Sequence, residues 1–158
     1  MIIEKKYSPW VLLATIALLV PFFVLIFFAQ PIADDLSYGY LVKTKGFFEQ
    51  QVSTYLTWNG RYSGNFFIQL FPISLDNLLL YRLILISSFS LFIVSFYFFI
   101  NSLLINVERL VLWSITILTV LTYLSLVPSI SEGFYWYTSV IFYQLSLSLV
   151  LLFLALVI

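Results

Sequence analysis

The feature that most constrains this chain is a long apolar stretch near its beginning, residues 10–29, which contains no charged side chain. A helix needs about 20 largely apolar residues to cross the hydrocarbon core of a bilayer. Three further stretches are also long and largely apolar, at residues 78–100, 110–127 and 142–158. Residues 62–73 are apolar but too short for a span, so they predict an interfacial or re-entrant helix. The sequence therefore predicts an all-α, polytopic membrane protein with about four spans.

The composition excludes several other classes of protein. Charged residues make up only 9% of the chain and hydrophobic residues 63%, whereas a soluble domain carries about 25% charged residues. Seven basic residues balance seven acidic ones, so there is no basic surface to attract nucleic acid. The chain has no cysteine and no histidine, which removes thiol nucleophiles and the commonest zinc ligands. Any chemistry must therefore come from carboxylates, Arg, Tyr, Trp and amides.

The two ends of the chain indicate its orientation in the membrane and its relation to a longer protein. The first apolar run exceeds the about 7–15 residues of a signal-peptide core, so it predicts a retained anchor rather than a cleaved leader. Lys5 and Lys6 precede this run and Arg109 precedes the third, which favours a cytoplasmic N-terminus, although the first long loop carries three basic residues of its own. The fourth span is still apolar at Ile158, so it is expected to be cut short. The chain as a whole (residues 1–158) is then a single N-terminal portion of a longer polytopic protein.

Two polar loops are expected to meet on one side of the membrane. Three predicted crossings precede the loop at residues 129–141, which places it on the same side as the loop at residues 30–77. With the N-terminus in the cytoplasm, both loops face the extracytoplasmic compartment. They can therefore converge on one site.

Asp34 and Asp35 are adjacent carboxylates directly after the first span. Partial desolvation at the hydrocarbon boundary and the neighbouring like charge should raise the pKa of at least one of them, as a general base working near neutral pH requires. The alternative is that the pair only caps or solvates a helix end. Adjacent side chains on a helix diverge by about 100°, so one should act while the other caps or orients. We expect Asp34 to be the base, because it lies nearer the span in the less solvated position.

Residues 41–58 predict an amphipathic helix, with Phe48, Val52, Tyr55 and Leu56 recurring at helical spacing. Such a helix either lies flat on the membrane surface or packs against another helix of the protein.

Arg61 and Glu132 are the notable charges elsewhere in the loops. Arg61 lies between aromatic neighbours, where it could hold a phosphate bidentately, stack on Trp58 or Tyr62, or anchor to lipid head groups. An aromatic interfacial belt explains Trp136 and its tyrosine neighbours, but it does not explain Glu132. An acidic residue beside aromatic rings is also how proteins build sugar sites.

Three segments together resemble the GT-C glycosyltransferases: "PIADDLSYGY", "YLTWNGRYSGNFF" and "SEGFYWYTSVIFYQLSLSL". More narrowly, they resemble the bacterial glucosyltransferase-like membrane proteins related to O-antigen modification enzymes. The likeness covers nearly the whole chain. The Asp-Asp pair in the first external loop is typical of the superfamily, whereas the W-x-G-R and E-x-x-x-W elements point to the narrower group.

The resemblance implies an activity and a set of roles. It implies transfer of a sugar from a polyprenyl-phosphate-linked donor to an extracytoplasmic glycan or lipid acceptor, by a multi-pass protein of a bacterial cell membrane. By this likeness Asp34 or Asp35 activates the acceptor hydroxyl and Arg61 contacts the donor phosphate. Trp58, Glu132 and Trp136 would help to bind sugar. Two carboxylates could hold Mg²⁺ or Mn²⁺, but two ligands do not define a site, so no metal and no cofactor beyond the lipid-linked donor is assigned.

Two other classes of function compete with this hypothesis. A transporter fragment should carry its charges inside the spans along a pathway, whereas the predicted spans are almost free of charge. A non-catalytic membrane subunit remains an open alternative, because aromatic residues and loop charges are common in such proteins.

Overall fold

The computed structural model describes residues 8–73 and 77–158, and within these ranges the regular structure is helical, with no strand. Lys5 and Lys6, on which the predicted orientation rests, lie outside the described residues. Among the described residues, four helices are long and apolar enough to cross a bilayer: α1 (Ser8–Ile26), α5 (Leu78–Leu103), α6 (Arg109–Leu126) and α7 (Tyr137–Val157). The four predicted spans are therefore confirmed. The fourth begins at Tyr137 rather than near residue 142, because a π-helical turn (Val140–Gln144) continues the helix through the polar beginning of this segment.

The spanning helices pack around α5, which contacts α6, α7 and α1, while α1 also lies along α6. Aromatic side chains of α5 fill the centre of the bundle. The ring centroid of Phe134, in the loop before α7, lies 5.5 Å from that of Phe89 and 5.4 Å from that of Phe92. Close van der Waals packing of this kind is what holds membrane helices together. It also fixes the loop before α7 to the end of the bundle.

Three shorter helices follow α1: α2 (Asp34–Lys45), α3 (Phe47–Thr57) and α4 (Tyr62–Leu70). The single helix predicted over residues 41–58 is wrong, because Gly46 interrupts it with a φ of 81°. Glycine adopts this left-handed conformation readily since it has no Cβ. The chain turns there and α3 packs against α2. The short helix expected within residues 62–73 is present as α4.

The pair formed by α3 and α4 exposes its apolar side chains, with Phe48 83% exposed and Leu56 72% exposed. The side chains that the pair buries are mostly polar: Gln50, Gln51, Thr54, Asn65, Ile68 and Gln69. The amphipathic pattern of α3 is therefore present, but its polar face points inward. Because no described helix covers its apolar face, the structure favours the membrane-surface alternative over packing within the chain.

The first loop and the loop before α7 lie at the same end of the bundle, as the predicted crossings require. The Asp35 carboxylate accepts hydrogen bonds from the backbone N–H and the hydroxyl of Thr138. The Tyr81 hydroxyl lies 3.1 Å from the carbonyl oxygen of Gln30 and 2.6 Å from that of Tyr135. These bonds join the end of α1, the start of α5 and the start of α7 into one polar layer.

Candidate functional site

An open cavity of about 350 Å³ lies between α2 and α3, which we call the α2–α3 groove. One face of α2 forms its first wall, with side chains at the i, i+3, i+4, i+7 and i+11 positions of the helix: Asp34, Ser37, Tyr38, Leu41 and Lys45. The facing stripe of α3 and the residue that follows it form the second wall: Gln50, Ser53, Thr54, Thr57 and Trp58. The groove is thus lined by one carboxylate, one ammonium group, hydroxyls, an amide and aromatic rings.

The two adjacent carboxylates occupy opposite environments. Asp34 is exposed and lines the groove. Asp35 is only 1% exposed, and its Oδ1 atom lies 2.9 Å from the backbone nitrogen of Thr138 and 2.6 Å from its Oγ1 atom. The expectation that Asp34 is the less solvated of the two is therefore wrong. The first turn of α2 directs Asp35 inward against α7 and leaves Asp34 facing the groove, because successive helical side chains diverge by about 100°.

Burial raises the pKa of the Asp35 carboxyl above its ordinary value, and hydrogen bonds from Thr138 and Ile32 oppose this shift only in part. Thr138 lies in the first turn of α7, where backbone N–H groups have no partner within the helix. Asp35 satisfies one of them and places a carboxylate at the positive end of the helix dipole. Its contacts describe a residue that joins α2 to α7 rather than one that faces a ligand.

A strained turn precedes the two carboxylates. Ala33 has φ 42° and ψ −110°, and the backbone N–H of Asp35 donates to the carbonyl oxygen of Ile32 at 3.0 Å. This geometry is close to a type II′ turn with Ala33 at the position that favours glycine. A non-glycine residue in such a conformation costs of order 1–3 kcal/mol and is typical of functional sites. The turn fixes where Asp34 enters the groove.

The Tyr38 hydroxyl marks the place where the first-loop charges meet. Burial raises the pKa of Tyr38, and the Asp34 carboxylate adds to the increase. Hydrogen bonding by Asn59 and Trp58 and the positive charge of Arg61 act in the opposite direction. Asp34 and Trp58 both line the groove, and the charges of Asp34 and Arg61 act in opposite directions on the pKa of Tyr38.

Arg61 stacks on the beginning of α7. Its guanidinium carbon lies 5.2 Å from the ring centroid of Phe142 and 6.0 Å from that of Tyr143, rather than over Trp58 or Tyr62 as the sequence suggested. Cation–π contacts occupy the face of the guanidinium. A guanidinium can also bind a phosphate bidentately through the N–H groups at its edge. Arg61 itself is not part of the groove lining.

Glu132 and Trp136 lie outside the groove lining. Glu132 is exposed on a π-helical turn, Ser131–Tyr135, where its backbone N–H lies near the hydroxyl of Ser129. Trp136 is half-buried, and its indole nitrogen has no hydrogen-bond partner among the described residues. The loop that carries both residues reaches the first loop through Thr138, two residues beyond Trp136. The two loops therefore converge, but these two side chains do not share the groove with Asp34.

Sequence reasoning missed most of the groove. No ligand-binding role was predicted for Ser37, Tyr38, Lys45, Gln50 or Ser53, although each lines it. The signal was present as polar stripes at helical spacing on both sides of Gly46. It becomes readable only once the break at Gly46 divides residues 41–58 into two helices that face each other.

The described part of the chain contains no group of three or more possible acidic metal ligands, and Asp35 is already engaged by Thr138. The chain matches no protein family, no curated protein and no solved structure. Function is accordingly inferred from the residues of the groove and from the motifs of the sequence.

Proposed function

We propose that this chain takes part in transferring a sugar from a polyprenyl-phosphate-linked donor to an acceptor hydroxyl, with Asp34 as the general base. The observation that carries the proposal is the difference in environment between the two carboxylates. Asp35 is fully engaged by Thr138, whereas Asp34 is exposed in a groove rich in hydroxyls and aromatic rings. A carboxylate can remove the proton from an acceptor hydroxyl as that oxygen attacks the anomeric carbon of the donor sugar.

The surroundings of Asp34 support this chemistry. The exposed indole of Trp58 offers an apolar face for a sugar ring, as aromatic side chains do in many polar binding sites. The charge of Arg61 acts on the Tyr38 hydroxyl of the groove, and in this proposal its guanidinium stabilises the negative charge that develops on the departing lipid phosphate. In this arrangement the base and the cation flank the sugar that is transferred.

The membrane setting supports a lipid-linked donor. The four spanning helices place the groove at one end of the bundle, where the polar head of a lipid lies. The apolar outer face of α3 and α4 suits contact with lipid tails. The bacterial origin, the extracytoplasmic side and the glycan or lipid nature of the acceptor belong to this proposal.

Asp34→Asn tests the proposed base, because it keeps the size of the side chain and removes its proton-accepting power. The full chain is expressed in bacterial membranes and supplied with polyprenyl-phosphate glucose labelled in the sugar, and label transferred to membrane glycans is measured. We expect Asp34→Asn to lower transfer by about 10²–10⁴-fold, with unchanged amounts of protein in the membrane. Glu49→Gln, which neutralises an exposed carboxylate outside the groove, serves as the matched control. Wild-type transfer by Asp34→Asn would instead favour a non-catalytic membrane subunit.

A further inference from the structure

We infer that Asn59 is a site of spontaneous covalent modification, at which the backbone nitrogen of Gly60 attacks the side-chain amide and ammonia leaves. The two residues lie in the connection between α3, which ends at Thr57, and α4, which begins at Tyr62. Glycine has no Cβ to hinder the attack and leaves the backbone free to reach the geometry that the attack needs. The inference goes beyond the proposed function and does not depend on it.

The reaction consumes only water. The Gly60 nitrogen forms a bond to the Asn59 Cγ atom, and the bond from Cγ to Nδ2 breaks. The proton of the Gly60 N–H leaves with the side-chain nitrogen as ammonia. Water then opens the cyclic imide at either of its carbonyl carbons, which gives aspartate or isoaspartate at position 59. A neutral amide is thus replaced by a carboxylate.

The attacking nitrogen is available in the folded chain. Among the described residues, the Gly60 N–H donates no hydrogen bond, whereas the N–H of Asn59 donates to the Thr54 carbonyl oxygen and that of Arg61 to the Asn59 side chain. Gly60 is exposed, and a Cβ placed on it would have no atom within 4 Å. Water and hydroxide can therefore reach this N–H and remove its proton.

The attacked amide is polarised by two hydrogen bonds. The Asn59 Oδ1 atom lies 3.1 Å from the backbone nitrogen of Arg61 and 2.9 Å from the Asn65 Nδ2 atom. Because a backbone N–H can only donate, the Arg61 N–H fixes which atom of the Asn59 amide is the oxygen. Negative charge develops on this oxygen as Gly60 attacks, and two donors directed at it stabilise that charge, as in an oxyanion hole.

The same contacts hold the two reacting atoms together. The bond from the Arg61 N–H to the Asn59 side chain is an Asx turn, and the ring that it closes contains both Cγ and the Gly60 nitrogen. Asn65 is fully buried in α4, so tertiary structure keeps its donor in place. Preorganisation of this kind accelerates reactions between neighbouring groups. The fold therefore promotes the modification instead of protecting Asn59 from it.

The products act on the connection that carries Arg61. Aspartate at position 59 places a negative charge near the N-terminus of α4, where the helix dipole favours it. Isoaspartate instead adds one atom to the backbone between α3 and Arg61, whose guanidinium carbon lies 5.2 Å from the ring centroid of Phe142. The modification thus changes the charge or the length of the link that holds Arg61 against α7.

The test compares the full chain in lipid nanodiscs with a synthetic peptide of residues 55–63, both in mildly alkaline buffer. Conversion of Asn59 is followed by peptide mass spectrometry and by an assay specific for isoaspartate. We expect Asn59 to convert about tenfold faster in the folded chain, because the peptide lacks the Asn65 donor. Asn106 is exposed and precedes valine, so it should stay unmodified. Equal or slower conversion of Asn59 in the folded chain would overturn the inference.

Two variants test the assigned roles. Gly60→Ala fits the open space at this position and should slow conversion about fivefold by restricting the backbone. Asn65→Ala should lower the rate in the folded chain to that of the peptide, while Ser63→Ala, at an exposed position of the same helix, should leave it unchanged. Melting temperatures show whether Asn65→Ala still folds. An unchanged rate in Gly60→Ala, or in a folded Asn65→Ala chain, would overturn the mechanism.

Discussion

Asp34 and Asp35 are adjacent in the chain, but Asp35 is buried and Asp34 is exposed. The inward direction of Asp35 brings its carboxylate to the first turn of α7, where Thr138 donates two hydrogen bonds to it. The outward direction of Asp34 leaves its carboxylate in the groove. One residue therefore stabilises the junction between the two loops, and the other is available to a ligand.

The raised pKa of Asp35 predicts a specific dependence of stability on pH. Because the folded state holds this proton more tightly than the unfolded state, the free energy of unfolding should fall as the pH rises from about 3.8 through the raised pKa, and level off above it. Melting temperatures of the detergent-solubilised chain, measured across this pH range, test the prediction. Asp35→Asn should flatten the profile and Asp34→Asn should not. Identical profiles for the wild type and Asp35→Asn would contradict it.

The strained turn at Ala33 predicts that Ala33→Gly stabilises the folded chain by about 1 kcal/mol, since glycine adopts this conformation without a Cβ clash. Ala14→Gly, within the helix α1, should instead cost about 0.5–1 kcal/mol. Unfolding of both variants in detergent provides the comparison. Destabilisation by both substitutions would show that the conformation of Ala33 carries no strain.

At the scale of elements, α3 reverses the usual arrangement of an amphipathic helix in a soluble domain. Its apolar residues are exposed, while Gln50 and Thr54 are buried. Gln69 of α4 also contacts Thr54, with its Nε2 atom 3.2 Å from the Thr54 Oγ1 atom. The polar side chains thus form the interior between α3 and its neighbours. Such an arrangement is stable where the surroundings are apolar, as at the membrane boundary.

Spin labels on neighbouring residues can test the environment of the two faces of α3. The chain has no cysteine, so Leu56→Cys and Thr57→Cys each give a single labelling position in lipid nanodiscs. We expect the label at position 56 to be relaxed mainly by oxygen, which dissolves in lipid, and the label at position 57 by a water-soluble nickel complex. Mainly aqueous relaxation at position 56 would contradict the prediction. A label at position 56 shielded from both reagents would favour packing against another helix.

At the scale of the whole molecule, two crossings, α5 and α6, separate the first loop from the loop before α7, and the polar layer joins these two loops. Tyr135 adds a further contact, since its hydroxyl lies 3.0 Å from the carbonyl oxygen of Phe22 in α1. Burial raises the pKa of Tyr135 to about 12. The end of the bundle that carries the groove is thus tied together by bonds between distant parts of the chain.

Thiol labelling in intact cells tests this topology. Ser37→Cys and Ser131→Cys place cysteines at exposed positions of the two loops, and Asn106→Cys places one at the opposite end. We expect a membrane-impermeant reagent to label the first two and to reach position 106 only after permeabilisation. Labelling of position 37 without position 131, or the reverse, would contradict the shared end. Labelling of position 106 alone would reverse the orientation and keep the two loops together.

The sequence by itself determined the spans, the helical class and the presence of a carboxylate pair at the exit of α1. The spans and the helical class depend on the length and spacing of apolar stretches, and the carboxylate pair is visible as adjacent residues, so all three follow from the order of residues alone. The boundary near Tyr137 was placed too late because the polar residues there are satisfied by tertiary contacts. The break at Gly46 was missed because the apolar spacing on its two sides happens to continue one pattern.

Only the tertiary structure decided which carboxylate is buried, which face of α3 points inward and which residues line the groove. Asp35 meets Thr138, which lies 103 positions further along the chain, and Arg61 meets Phe142, which lies 81 positions further along. Burial of a polar side chain is favourable only when partners arrive from elsewhere in the fold. No local sequence pattern shows where those partners lie. The packing of α2 against α3 and α7 therefore decides which aspartate is exposed and where the groove forms.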